Sequence, residues 1–355
     1  MARVISPPES HISRTSVPCV SAGRYLWCVI DLHMHSNRSD GTDSPAALAQ
    51  RILDAGLSAA ALTDHDTTVG NEEYRSVLDK AGVGFIPGCE ISCLHEFDGV
   101  ERSAHVLSYF VEEGDTEFQR TLAGLMDDRG MRNARLVERL HELGYSRLEA
   151  SRIEEISGKP LARSNRPSFA TAIIEAYGPG SDSSGVAEGL PTEFTDIQDV
   201  FNRLLANDGP AYIKKAHLSP AEAARVAKTS GAICVIAHPI ITFCSAREET
   251  ERWSIAAKRD FLDDVFASLK SDGLAGAEVY YSRHSPEEIE MLLGLTSKHR
   301  LVATGGSDFH GENKPDLDVG IGVRSQKGSS AELRVPDSVI GELEQARTEL
   351  CDRSA

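Results

Sequence analysis

Seven short apolar runs, each stopping at a polar or imidazole-bearing cluster, set the limits on what this chain can fold into. They are WCVIDLH (27–33), SAAALTD (58–64), VGFIPGCE (83–90), AHVLSYF (104–110), AICVIAH (232–238), LAGAEVY (274–280) and LVATGGSD (301–308). Near-continuous apolar stretches of this length are expected of parallel strands buried on both faces. Helical patterns lie between several of them, as in PAALAQRILDAG (45–56), PAEAARVAKTSG (220–231) and PEEIEMLLGLTSKH (286–299). Alternating strands and helices predict an α/β fold with a parallel sheet or barrel.

The fourth and fifth runs are separated by more than 120 residues, far beyond an ordinary crossover. That gap is expected to hold an inserted, mostly helical subdomain: FQRTLAGLMDDRGMRNARLVERLHELG (118–144), RPSFATAIIEAYG (166–178) and FTDIQDVFNRLLAN (194–207), with a Gly/Ser-rich loop over 178–191. The expected organisation is a flexible extension over 1–26, a barrel formed by 27–115 and 216–330, a substrate-capping insertion over 116–215, and a C-terminal helix or tail over 331–355.

Charge and cysteine narrow the setting. Lys plus Arg number 37 against 54 Asp plus Glu, a net charge of −17. A chain this acidic is a poor binder of duplex nucleic acid, which needs a basic face. It still admits a small anionic substrate held by metals and a few local arginines. No run of 18 apolar residues exists, so no membrane span is expected. The seven cysteines are odd in number and form no CxxC pair, which reads as free thiols in a cytoplasmic setting.

The chemistry gathers at the ends of the apolar runs. In Asp31-Leu32-His33-Met34-His35, alternation places His33 and His35 on one face. His65 follows the second run, Glu90 ends the third, His238 ends the fifth, and Asp308 with His310 follow the seventh. In an α/β barrel the active site lies at the C-terminal ends of the strands. His105, near the start of its run, and Asp40, in the loop after the first, fit that rule less well. Imidazoles and carboxylates crowded at one barrel face are expected to be bridged by cations. Nitrogen and oxygen donors without thiolate suit Mn²⁺ first, with Zn²⁺ or Fe²⁺ as alternatives, and the donors are enough for two or three divalent ions. Cys89, beside Glu90, points to the opposite face and reads as a core thiol. Asp64 and Asp66 read as groups orienting the ligand imidazoles.

DLHMHSNRSDG, LTDHD, PGCE, His105, AHP and GGSDFHG together resemble the PHP (polymerase and histidinol phosphatase) family of metal-dependent phosphoesterases. The resemblance implies a distorted seven-stranded barrel with a trinuclear site. His33, His35, Glu90 and Asp308 would hold one ion; Glu90, His105 and His238 a second; Asp40, His65 and His310 a third. Asp40, His65 and His310 are then the catalytic candidates. The insertion, EVYYSRHSPEEIE and GPAYIKKAHLSPA resemble the branch that acts on nucleotide 3′,5′-bisphosphates and on the 5′ end of short RNA. That branch commonly has Arg-Pro-His where this chain has Arg166-Pro167-Ser168, which puts its substrate preference in question.

Leu122, Leu125, Arg129, Arg132, Leu136, Leu140 and Leu143 fall on one helical face. Two arginines in an inward stripe need anionic partners, either internal acids or a phosphate, which guanidinium grips bidentately. The resemblance adds Asn133, Arg166 and position 168 to the substrate-binding candidates, with His310 between metal and substrate. Arg135, Arg139, Lys214 and Lys215 read as surface; Arg283 and His284 stand between a loop role and a substrate contact. The expected reaction is hydrolysis of a nucleotide phosphomonoester by metal-activated hydroxide, without a Ser or Cys nucleophile. A histidinol-phosphate-type phosphatase, an amidohydrolase-like hydrolase and an inactive metal-binding module are the competing readings. No Lys ends a strand, which argues against the amidohydrolase reading; oligomeric state is not readable.

Overall fold

The computed structural model describes residues 29–112, 114, 116–206, 209–214, 217–244, 253–320, 322–323 and 335–352. The expected N-terminal extension, with Cys19, lies outside them, as do Trp27, Cys28, Lys215 and 324–334.

Seven strands form one sheet in chain order: β1 (Ile30–Asp31), β2 (Ala59–Leu62), β3 (Gly84–Phe97), β4 (Val100–Tyr109), β5 (Ile233–Ile236), β6 (Gly276–Tyr281) and β7 (Val302–Gly306). The Leu32 amide donates to the Gly305 carbonyl at 3.2 Å, so the last strand turns back onto the first and the barrel is nearly closed. Closure depends on a glycine: a Cβ on Gly306 would lie 2.3 Å from the His33 Cβ. The GG of GGSD therefore serves a close backbone approach. Helices α1 (Pro45–Ala55) and α2 (Asn71–Ala81) link β1 to β3. Serine N-caps followed by proline start α1, α7 (Pro220–Thr229) and α10 (Pro286–His299), the pattern that prepares a helix start.

One expectation is corrected. The sheet is not all parallel: β4 runs antiparallel to both β3 and β5. β3 and β4 form a long hairpin, turning at residues 98–99, with Glu90 in mid-strand. The reversal matters for the site, because the N-terminal half of β4 then lies at the same end of the barrel as the C-terminal ends of its parallel neighbours.

The insertion enters through α3 (Glu117–Glu142), whose stripe divides between two cores. Leu122 and Leu125 pack into the barrel-side core with Ile91, Val106 and Val226. Leu136, Leu140 and Leu143 pack instead with Tyr145, Phe169, Ile173, Tyr177 and Phe194. Arg129 and Arg132 sit where the helix passes from one core to the other. The second core is built by α4 (Ala150–Ser157), α5 (Arg166–Tyr177) and α6 (Ile197–Val200). The expected helix over 194–207 is short: α6 gives way to a π-helical turn at Phe201–Leu205.

Beyond β5, α8 (Pro239–Cys244) and α9 (Ile255–Ser271) precede β6, and a short antiparallel pair, β8 (Leu317–Asp318) and β9 (Gly322–Val323), follows β7. The C-terminal α11 (Ser338–Asp352) is part of the barrel, since Val335, Val339 and Leu343 are buried against Ile30, Leu107 and Val235. Cys89, Cys93, Cys234 and Cys244 are buried free thiols, and burial pushes the Cys89 thiol well up. Among the described residues no helix is long and apolar enough to cross a membrane.

Candidate metal centre

The chain leaves β1 through His33-Met34-His35, both imidazoles fully buried, with their Nε2 atoms 3.1 Å apart. Alternation on an extended backbone gives this pair its common direction. Glu90, from mid-β3, reaches both: its Oε2 lies 3.2 Å from His33 Nε2 and 3.0 Å from His35 Nε2. The same oxygen is 3.2 Å from His65 Nδ1. Glu90 Oε1 faces the other side, 3.1 Å from His105 Nδ1 and 3.4 Å from His238 Nε2. One buried carboxylate thus stands between five imidazoles. His105 is there because β4 is reversed, which removes its apparent misfit.

Asp308 and His310 close the ring from the segment after β7. Asp308 Oδ1 is 3.6 Å from both His33 and His35 Nε2. His310 Nε2 is 3.2 Å from Asp40 Oδ1, and Asp40 Oδ2 is 3.7 Å from His65 Nε2. The Asp40 loop is fixed from three sides. Ser36 and Ser39 donate to Asp64, Asn313 donates to the Asp40 carbonyl, and Lys159 of the insertion donates to the Ser39 carbonyl. All nine expected ligands therefore converge. The donor atoms of eight of them fall into three overlapping groups: His35, Asp40, His65 and His310; His33, His35 and Asp308; and His65, Glu90 and His105. His238 stands outside these groups, 3.4 Å from Glu90 Oε1.

The electrostatics of the carboxylates and of His35 and His65 suit cations, whereas His33 and His310 are raised, against burial, by the carboxylates they face. Burial alone would raise Glu90, yet His33, His65 and His105 hold it well below the usual carboxylate range. Burial is likewise overcome at Asp40 and Asp308, both depressed by neighbouring imidazoles. His65 is pushed down to about 4, chiefly by burial, and His35 is driven well down by burial and by His310 and His65. Ionised carboxylates and neutral imidazoles are the ligating forms. Glu90 Oε1 and His65 Nδ1 are buried without an aligned hydrogen-bond partner, which a bound ion would satisfy. His238 and Asp308 both have positive φ, 29° and 56°, a cost of the kind stored at functional sites.

What orients the ligands differs from expectation. Asp64 ties down the 36–39 loop. Asp66 accepts from the Ser92 amide and hydroxyl and pairs with Arg129. One group that does orient an imidazole directly is Glu278, fully buried in β6, which the sequence reading missed. Its Oε1 is 3.0 Å from His33 Nδ1 and its Oε2 accepts from the His238 amide at 2.8 Å. A carboxylate inside the apolar run LAGAEVY was the available signal. Tyr281 and Lys314, also missed, both donate to Asp308 Oδ2.

The centre opens into a cleft with two lobes that share Asp40, His65, His105, Arg163 and Asn165. A cavity of about 750 Å³ lies over the ligands and includes Lys159, Ser168, Asn313 and Lys314. Its neighbour, of about 990 Å³, is lined by Arg129, Arg132, Arg166 and Tyr212. Arg132 donates to the Ile213 carbonyl and to Asn133 Oδ1, and neither it nor Arg166 has a carboxylate at ion-pair distance among the described residues. Burial and the neighbouring Arg166 and Arg129 push Arg132 down to about 10. Asn133 is not in the cleft. It is buried, and its amide nitrogen donates to the Leu161 and Ser164 carbonyls. Ser168 lines the first lobe while its hydroxyl donates to Asn165, the N-cap of α5. Arg283 pairs with Asp316 at the surface, His284 is buried with Nδ1 on the Val279 carbonyl, and Lys214 is exposed.

Comparison with known proteins agrees with this geometry. The PHP domain profile matches residues 31–162. The chain is 26% identical over 79% of its length to a phosphoribosyl 1,2-cyclic phosphate 1,2-diphosphodiesterase of Eggerthella lenta, covering 94% of that protein. It is 27% identical to the 5′-3′ exoribonuclease Rnm of Escherichia coli, over 79% of this chain and 85% of that one. A 3′,5′-nucleoside bisphosphate phosphatase of Chromobacterium violaceum is 26% identical, over 82% and 90%. A crystal structure from Bifidobacterium adolescentis, assigned as a metal-dependent phosphoesterase, superposes with a TM-score of 0.64 at 25% identity, covering 89% of this chain and 96% of that one. With the converging donors and the nearly closed barrel, these show a PHP domain over residues 31–162 and a metal-dependent phosphoric ester hydrolase.

Proposed function

We propose that the chain hydrolyses a phosphate ester of a nucleotide, taking a 3′,5′-bisphosphonucleotide to the 5′-nucleotide or shortening a small RNA from its 5′ end. The observation that carries this is the second lobe. Among the described residues Arg132 and Arg166 crowd together there without an acidic partner, beside a centre that would take one phosphate. Uncompensated, partly buried guanidinium groups call for an anion. A substrate with a second phosphate supplies it. Phosphate esters of nucleosides or ribose figure in the names of the relatives from Chromobacterium violaceum and Eggerthella lenta, and RNA in that from Escherichia coli.

In this reading His33, His35, Glu90 and Asp308 hold one ion, Glu90, His105 and His238 a second, and Asp40, His65 and His310 a third. The number of ions is two or three, and the nitrogen-oxygen donor set favours Mn²⁺. Bound ions supply a hydroxide nucleophile at neutral pH and neutralise charge on phosphorus oxygens. The chain's own work is positioning. Asp40 and His65 line both lobes and His310 the first, where the scissile phosphate would rest. Arg132 and Arg166 grip the second phosphate, with Arg129, already paired to Asp66, at the edge. The insertion over 116–215 caps the substrate, and Ser168 leaves room where the related branch commonly has His. The four described free thiols fit a reducing, cytoplasmic compartment.

The test is phosphate release by the Mn²⁺-loaded protein from adenosine 3′,5′-bisphosphate, AMP, histidinol phosphate and a 5′-phosphorylated RNA trimer, with a chelator control. Preference for the bisphosphate or the trimer, lost in Arg132→Gln through a raised KM, is expected. Preference for histidinol phosphate would overturn the nucleotide reading.

A further inference from the structure

Asp308 uses its two oxygens differently. Oδ1 faces the His33–His35 pair, while Oδ2 is turned away and takes two donors. The Tyr281 hydroxyl donates at 2.9 Å from the last residue of β6, and Lys314 donates from the segment after His310. Tyr281 is buried at 4% exposure, whereas the Lys314 ammonium also lines the first lobe. The two donors are held in one frame. Ser282 donates to the Ser307 carbonyl at 3.0 Å, and Arg283 pairs with Asp316 at 3.0 Å. The turn after β6 and the loop after β7 are thereby stitched together around Asp308. Asp308 itself sits at a positive φ, so its backbone alone does not settle where the carboxylate points.

We propose that Tyr281 and Lys314 are positioning residues that clamp the outer oxygen of Asp308 and so aim its inner oxygen at the ion held by His33 and His35. This rests on the metal-centre reading but on no particular substrate. A carboxylate free to rotate offers a ligand oxygen only part of the time, and outer partners of ligands commonly set about 10–100-fold in metal affinity. The sign of the effect separates orientation from charge. Removing the lysine's positive charge beside the site would by itself tighten binding of a cation. Loss of affinity on its removal therefore reports lost aim.

The experiment is Mn²⁺ titration calorimetry on the full chain after chelation, comparing the parent, Tyr281→Phe, Lys314→Met, the double variant and His33→Ala. Melting of the metal-free proteins shows whether each is folded. Tyr281→Phe should weaken one class of site by about 10-fold. The double variant should weaken it by more than the two single changes combined, because each donor covers for the other. Parent-like titrations for Tyr281→Phe and the double variant, with His33→Ala clearly impaired, would overturn the proposal. A parent-like titration for His33→Ala would instead overturn the metal-centre reading beneath it.

Discussion

A carboxylate in the middle of a buried strand must spend both oxygens on partners. Glu278 spends one on the His33 ring and the other on the His238 amide. In the neutral form of His33 that could ligate, the Nδ1 proton would point toward Glu278 and leave Nε2 free, and Glu278 also fixes the backbone placement of His238. Glu278→Gln keeps the shape but cannot accept at both positions. Mn²⁺ affinity is expected to fall about 10–100-fold, and turnover at limiting metal with it. Titration of the metal-free variant checks this; an unchanged isotherm would reduce Glu278 to a packing residue. The nine side chains that converge were legible in the sequence, because imidazoles and carboxylates gathered at strand ends have few structural reasons to be there. Glu278 was not legible. A single Glu in LAGAEVY gives no direction, and its importance lies in partners some 40 and 245 residues away. Asn133 was taken from the family resemblance, and the fold places it beside the cleft, not in it. Its neighbours in the stripe face the cleft, and only the fold shows its amide committed to the 161–164 turn.

Among the elements, strand direction was the feature that periodicity could not supply. An apolar run buries equally well pointing either way, so β4 looked parallel. The clue was His105, a ligand at the wrong end of its run. The division of α3 between two cores was equally hidden, because one leucine stripe reads as one face. Helix pairing gives a measurable consequence at the back of the barrel. The buried Lys258 of α9 donates to Glu288 of α10 at 2.6 Å, and Glu288 also completes the capping box of its helix. Burial would raise the Glu288 carboxyl, but the Lys258 hydrogen bond and the Ser285 amide outweigh it and hold it below the usual carboxylate range. A carboxyl depressed on folding adds stability above its unfolded pKa, lost as pH falls through the folded value. Glu288→Gln should therefore flatten the decline in melting temperature below about pH 4.5. At neutral pH it should cost about 1–3 kcal/mol, because one amide oxygen cannot serve both Lys258 and the Ser285 amide and the lysine loses its counter-charge. Melting curves from pH 7 to 3 decide it: parallel declines for parent and variant would remove the pair from the acid response.

At the scale of the molecule, the barrel is sealed at one end by α11 and open at the other onto the ligands, and the chain carries a net charge of −17. Three ionised carboxylates converge at the open end, so the folded state presents ligands that the unfolded chain holds apart. A cation that binds only the folded form stabilises it by mass action, about 2.7 kcal/mol per site at a hundred times the dissociation constant. Mn²⁺ should thus raise the melting temperature by several degrees, and a chelator should reverse the rise. An acidic protein also gains stability from any salt through screening of its own repulsion. The comparison must therefore be made against NaCl at equal ionic strength, where screening is matched and ligation is absent. His33→Ala, which keeps nearly all of the net charge and loses the ligand pair, should retain the NaCl response and lose most of the Mn²⁺ shift. If NaCl reproduced the Mn²⁺ shift in the parent, the converging donors would be an acidic cluster relieved by counterions, with no claim to be a metal centre.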